Sequence, residues 1–357
     1  MRIGIPKERK CHEYRVALVP ETVADLVEQG LDVLVESGAG DGAGFCDDDY
    51  LGVGAKIVSQ QALWQDGELI VKVKEPQPDE VGFVRPEHTL FCYLHLAACH
   101  SLMKELLARK CYAFAFETLT DDSGRLPLLM PMSQIAGKLA VLNGSYHLQK
   151  FAGGAGVLTA AVTGVEHTRI TIVGGGVVGS AAARVALGIG AEVTIIDRNP
   201  VVLTQLEQQF GSSLNLVLSS PQALLRQLEQ SHLVIGAVLI PGAAAPKVIS
   251  LDMLKHMPKG SVLVDVAIDQ GGCAESSRPT SHQDPTYEVG GVVHYCVTNI
   301  PGAVPQSASV VLSRILAPYV SALAQHGKDS IIKQSSGFAN SLNLANGQVI
   351  HPALRST

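Results

Sequence analysis

The stretch TIVGGGVVGSAAARVALGIGAEVTIID (171–197) constrains the fold more than any other part of the chain. A β-branched run at 170–173 meets a glycine turn, an alanine-rich helical pattern follows, and a second apolar run ends on Asp197. Gly174, Gly176 and Gly179 have the G-x-G-x-x-G spacing. One glycine makes the tight turn, one lets backbone approach a pyrophosphate, and one allows close helix packing. The anion would sit on the free N–H groups and positive dipole of the helix N-terminus, so Gly174, Gly176, Val178 and Gly179 are candidate contacts to a dinucleotide. Asp197 would accept hydrogen bonds from the ribose 2′-OH and repel a 2′-phosphate, which favours NAD, although Arg198 beside it could pair with such a phosphate.

A chain of 357 residues, 46% of them hydrophobic, is expected to form two domains, each with a sizeable core. The net charge of -6 lacks the basic excess that a phosphate-backbone binder needs, so no nucleic-acid partner is expected. The N-terminus MRIGIPKERK is charged where a signal peptide would be apolar, and no run of 18 mostly apolar residues is evident. A soluble, cytoplasmic protein without membrane partners is therefore expected. Seven cysteines at irregular spacing, with no CxxC pair, suit reduced thiols, and Cys99 beside His100 does not make a metal site.

Alternating strand and helix signals place the chain in the α/β class, with two Rossmann-like, doubly wound domains. Strand patterns fall at 2–5, 31–36, 69–74, 90–96 and 111–117, with helix patterns at 21–29 and 101–110. The proline-rich stretch 120–131 predicts a boundary near residue 130, crossed by a helix over 133–150. Beyond the glycine segment, strands are expected near 214–218, 233–238 and 261–266. The last fifty residues show an apolar helix pattern at 307–326, broken by Pro318, and a hairpin turning at Asn346-Gly347. These cannot close a core alone, so the expectation is one discontinuous domain, 1–130 with 306–357, and a nucleotide-binding domain, 131–305.

The segments GIPKE (4–8), YRVALVP (14–20), VKVKEP (71–76), YLHLA (93–97), IGAVLIPG (235–242), VDVAIDQGG (264–272), SRPT (277–280), HYCVTNIPGAVP (294–305) and SLNLANG (341–347), together with the glycine segment, strongly resemble bacterial alanine dehydrogenases. The resemblance runs in order over nearly the whole chain. It implies a substrate domain formed by the two terminal segments, an NAD domain in the middle, and an active site in the cleft between them that closes on cofactor binding. It further implies reversible oxidative deamination of L-alanine to pyruvate and ammonium by a homohexamer. The same superfamily contains the NAD(H)-binding subunit of proton-pumping transhydrogenase, and a non-catalytic NAD-binding regulator is a second rival. Where members often carry arginines, this chain reads GGAGVLTAA (153–161) and PQSAS (305–309).

Four positions match the parts that deamination requires. Arg15 offers a planar fork for a substrate carboxylate. Lys72 and Lys74 share one face of a strand pattern and on residues alone are compatible with solvent. The resemblance selects Lys74, whose ammonium would bind the carboxylate or keto oxygen. His95 suits proton transfer as water adds and ammonia leaves. Asp269 follows an apolar strand at the edge where doubly wound sheets bind ligands, and the resemblance gives it the substrate amine; Asp265, inside that strand, reads as structural. The residues leave open which of His95 and Asp269 is the dominant base. The resemblance adds Ser133, Ser219, Leu239, Ile268 and Asn299 to the NAD contacts, while a serine or asparagine in a turn can equally cap backbone.

Overall fold

A computed structural model describes residues 1–238 and 244–355. It divides into two compact units, Met1–Met132 with Gly302–Thr357, and Ser133–Pro301. The strands run, in chain order, β1 (Ile3–Ile5), β2 (Val33–Glu36), β3 (Lys56–Val58), β4 (Leu69–Val71), β5 (Thr89–Cys92) and β6 (Tyr112–Ala115) in the first unit. The second unit holds β7 (Arg169–Val173), β8 (Glu192–Asp197), β9 (Asn215–Leu218), β10 (Leu233–Gly236), β11 (Val262–Asp265), β12 (Thr286–Val289) and β13 (Val292–Tyr295). β14 (Leu342–Ala345) and β15 (Gln348–Val349) return to the first.

The first sheet has the order β15-β14-β6-β5-β4-β1-β2-β3, parallel from β6 to β3, with β14 antiparallel to β6. The second has the order β12-β13-β11-β10-β7-β8-β9, parallel except for the β12–β13 pair. In each, the first strand lies beside the fourth, which creates the switch point where the chain reverses its direction of travel across the sheet. Central strands such as Ile3–Ile5 and Val262–Asp265 are buried on both faces, as parallel strands must be when helices cover them.

Local chemistry explains the ends of these elements. Helix Pro20–Glu28 starts on a proline at its first turn, where the missing N–H costs nothing. Asn346 and Gly347 have φ of 51° and 77°, the consecutive left-handed pair that closes a two-residue hairpin between β14 and β15.

Three expectations need correction. The strand pattern over 69–74 ends at Val71, because the Val73 N–H leaves the ladder and donates to Glu8 Oε1 at 2.7 Å. Pro318 does not break its helix, which runs unbroken over Pro305–His326. That helix is also long and apolar enough to cross a membrane, against the expectation that no such run exists. One stripe of it is core: Leu312, Leu316, Val320 and Leu323 are fully buried, and the Ser309 and Ser313 hydroxyls accept the N–H groups of Val16 and Val19 at 3.0 and 2.9 Å. Packing of this kind outweighs the roughly 3 kcal/mol that an interior proline costs a helix.

Candidate active site

In the first unit, Arg15, Lys74 and His95 lie on the loops that leave the C-terminal ends of β1, β4 and β5, three neighbouring strands spanning the switch point. Each loop is tied down by a carboxylate. Glu8 accepts the Val73 and Lys74 N–H groups at 2.7 and 3.4 Å. Glu13 accepts the Arg15 N–H, and grips its guanidinium from Nε and Nη2 at 2.7 and 2.6 Å. Glu117 accepts the Leu94 and His95 N–H groups at 3.2 and 2.6 Å. Irregular backbone needs such acceptors, since its N–H groups have no ladder partner.

Arg15 is only 2% exposed, and its Nη1 also donates to Met132 Sδ at 3.2 Å. Burial disfavours its charge, but Glu13 outweighs that and holds the guanidinium above its ordinary range. Lys74 is buried as well, and with Lys10 it holds the Glu75 carboxyl below its usual range against the opposing effect of burial. Lys72 does not face solvent: it is fully buried, 2.8 Å from Glu80 and 3.4 Å from Glu8. His95 takes a left-handed conformation, φ 47° and ψ 38°, which is uncommon for a residue with a Cβ and concentrates at functional sites. Its ring stacks on Tyr93 at 6.0 Å between centroids with 4° between planes, and Tyr93 in turn donates to Leu128 O at 2.5 Å. Burial raises the Tyr93 phenol above its ordinary value while Arg15 pulls it back, so Tyr93 lies under the influence of Arg15 and against His95.

Burial also pushes the Glu8 carboxyl from 4.5 up to about 7, with Lys72 opposing and Glu13 and Glu80 adding to the rise. The folded chain therefore holds this proton where the unfolded chain has released it. The resulting stability is fully present below pH 4.5 and is lost as pH rises through about 7. Glu8→Gln, which stays neutral, should gain about 3 kcal/mol relative to the unsubstituted protein between pH 5 and pH 8. Denaturant melts at the two pH values check this, and a difference that does not change with pH would contradict it.

In the second unit, the glycine turn lies between β7 and the helix Val177–Gly188. Gly174 has φ 106°, and a Cβ there would lie 2.6 Å from the Ala237 carbonyl oxygen, just beyond β10 across the switch point. A Cβ on Gly179 would lie 1.9 Å from the Gly174 oxygen. Gly176 differs: a Cβ would meet open space, and as N-cap it contributes no side-chain acceptor to the helix's first N–H groups. Backbone donors facing open space suit a pyrophosphate. Val178 is half-buried in the first turn. Asp197 ends β8, its Oδ2 accepting Gly175 N–H and its Oδ1 accepting Asn199 N–H, both at 2.7 Å. A carboxylate has about four lone-pair sites, so these two bonds leave capacity for ribose hydroxyls. The residues present thus fit a dinucleotide.

Asp269 and Ile268 lie on the 3-10 turn Val266–Gln270 after β11, Asp269 exposed and Ile268 buried. Asp265 holds that turn, accepting from Ala267 N, Cys273 N and Ser277 Oγ at 3.0, 2.7 and 2.6 Å, a structural role. Ser219 is exposed after β9, and it is the neighbouring Ser220 that caps the next helix. Asn299 is left-handed at φ 66° and follows β13; its carbonyl faces His282 Nε2 at 3.3 Å. Ser133 is half-buried in helix Met130–His147 and sits at the start of the second unit. Leu239 lies outside the described residues.

A doubly wound sheet with a glycine turn at its switch point and an acid ending the next strand defines the class of nicotinamide-dinucleotide oxidoreductases. The family models for the N-terminal and C-terminal domains of alanine dehydrogenase/PNT match residues 4–136 and 140–352, and the chain belongs to this family. It is 50% identical to the alanine dehydrogenase of Halomonas elongata over 99% of this chain and 96% of that one. Among solved structures it matches an L-alanine dehydrogenase with a TM-score of 0.95 and 45% identity, covering 100% of this chain and 98% of the other. It also matches a transhydrogenase from Sinorhizobium meliloti with a TM-score of 0.83 and 26% identity, covering 99% and 100%.

Proposed function

We propose that the chain catalyses the reversible reaction of L-alanine, NAD and water to give pyruvate, ammonium, NADH and a proton. The observation that carries the reading is the position of Arg15, Lys74 and His95 on loops from the C-terminal ends of β1, β4 and β5, on a chain related over its full length to alanine dehydrogenases. The first unit supplies the substrate residues and the second holds NAD through Gly174, Gly176, Val178, Gly179 and Asp197, with Ser133, Ser219, Leu239, Ile268 and Asn299 as further contacts.

When bound, NAD supplies an acceptor for the Cα hydride. Arg15 and Lys74 hold the carboxylate so that the Cα–H has one orientation, and the Lys74 ammonium stabilises charge developing on oxygen as water adds. Asp269 takes a proton from the substrate ammonium, freeing the nitrogen lone pair that drives hydride departure. His95 takes a proton from the attacking water and returns it to the leaving amine. Hydride transfer demands van der Waals contact between the alanine Cα–H and the nicotinamide. The enzyme works in amino-acid catabolism as a cytoplasmic homohexamer, a reading supported by the family resemblance.

Oxidation of NADH in the presence of ammonium and a panel of 2-oxo acids tests the assignment. Pyruvate is expected to be turned over, and only with ammonium. Tight NADH binding without ammonium-dependent oxidation would instead fit a transhydrogenase-like subunit or a regulator.

A further inference from the structure

The N–H side of the left-handed turn at His95 is held by one carboxylate. The Glu117 carboxylate comes from the 3-10 turn Phe116–Thr118 at the end of β6, and bridges the N–H groups of Leu94 and His95. The same Oε1 that accepts the His95 N–H lies 3.8 Å from the ring Nδ1, an ion pair whenever the imidazole is protonated. Glu117 is 14% exposed and the His95 side chain 38%, so the carboxylate lies on the inner side of a ring that solvent or substrate can reach.

We propose that Glu117 is the positioning residue for His95: it fixes the turn that projects the ring, and its charge stabilises the imidazolium from the Nδ1 side, leaving Nε2 to exchange the proton with substrate. This rests on the assignment of His95 to proton transfer.

Among the described residues, Glu117 is the only carboxylate that contacts that ring. Tyr93 stacks on it and stays protonated, since burial raises its phenol. Burial likewise pushes the Cys92 thiol well up, Glu117 adding to the effect, so no thiolate competes. His351, whose Nδ1 accepts the Ala353 N–H at 3.3 Å, is kept neutral by burial with Glu117 opposing. In other enzymes an aspartate orients an imidazole by accepting from its Nδ1–H; here Glu117 accepts the backbone N–H instead and faces the ring Nδ1 at 3.8 Å.

Glu117→Gln, nearly isosteric, keeps one acceptor for the His95 N–H and removes the charge. The expected result is a 10- to 100-fold fall in kcat for alanine deamination, with KM for alanine and NAD within twofold. This split of kcat against KM is a readout that a merely structural residue, whose loss would weaken binding as well, would not give. Glu117→Asp, which keeps the charge with shorter reach, should lose less rate than Glu117→Gln. His95→Asn serves as control. If it abolishes turnover while both Glu117 variants keep the original rate, the positioning role is overturned and the His95 assignment stands. If His95→Asn remains active, the assignment itself fails. Should Glu117→Gln not fold, the Asp variant decides alone: unchanged rate overturns the proposal.

Discussion

His95→Ala is expected to lower kcat for alanine deamination by about 10²- to 10⁴-fold, the usual contribution of a positioned acid or base. The expectation comes from three features at one position. The ring is exposed enough to meet a substrate, its backbone is strained into the left-handed region, and a carboxylate and an aromatic face fix its orientation. Strain of order 1 to 3 kcal/mol persists in a fold only where surrounding contacts over-determine it. Alanine keeps the Cβ that makes this backbone costly, and the variant loses the stacking on Tyr93 but no side-chain hydrogen bond among the described residues, so the melting temperature should change by only a few degrees. NADH affinity should be unchanged, because the dinucleotide contacts belong to the other unit. Steady-state kinetics with a fluorescence titration of NADH separates these effects, and a variant with full activity would remove His95 from the chemistry.

The second large effect is a contrast between two lysines separated by one residue. Lys74→Met is expected to cost about 10²- to 10³-fold in kcat/KM, the range seen when a preorganised donor to developing oxygen charge is lost. Lys72→Met is expected to cost stability instead, about 3 to 5 kcal/mol, because Glu80 would be left buried without its cation and Glu8 would lose its nearest positive charge. Urea melts and kinetics on both variants give the answer. Equal effects on stability, or a kinetic defect larger at Lys72, would reverse the assignment.

This pair also marks how far the sequence could be read. Alternation placed both lysines on one face, and no local rule distinguished a buried ion pair from a solvated one. The partner Glu80 lies in a separate helix, and its contact depends on how that helix packs. Two of the three carboxylates that hold the site loops were equally hidden: Glu8 and Glu117 reach backbone 65 and 22 residues away. GIPKE, which ends on Glu8, stood out only as part of a family resemblance. Features with short-range causes were legible. The glycine turn requires residues without a Cβ at 174 and 179, and the Asn346-Gly347 hairpin requires two left-handed residues. The break expected at Pro318 does not occur because the packing of Leu312, Leu316 and Val320 around it outweighs local helix propensity.

The most direct measurement follows the hydrogen itself. With L-alanine carrying deuterium at Cα, the account predicts that the label appears at nicotinamide C4 of the NADH formed, in equal amount to the pyruvate. Label released to solvent instead, with unlabelled NADH, would contradict direct hydride transfer and with it the proposed roles of Arg15, Lys74, His95 and Asp269.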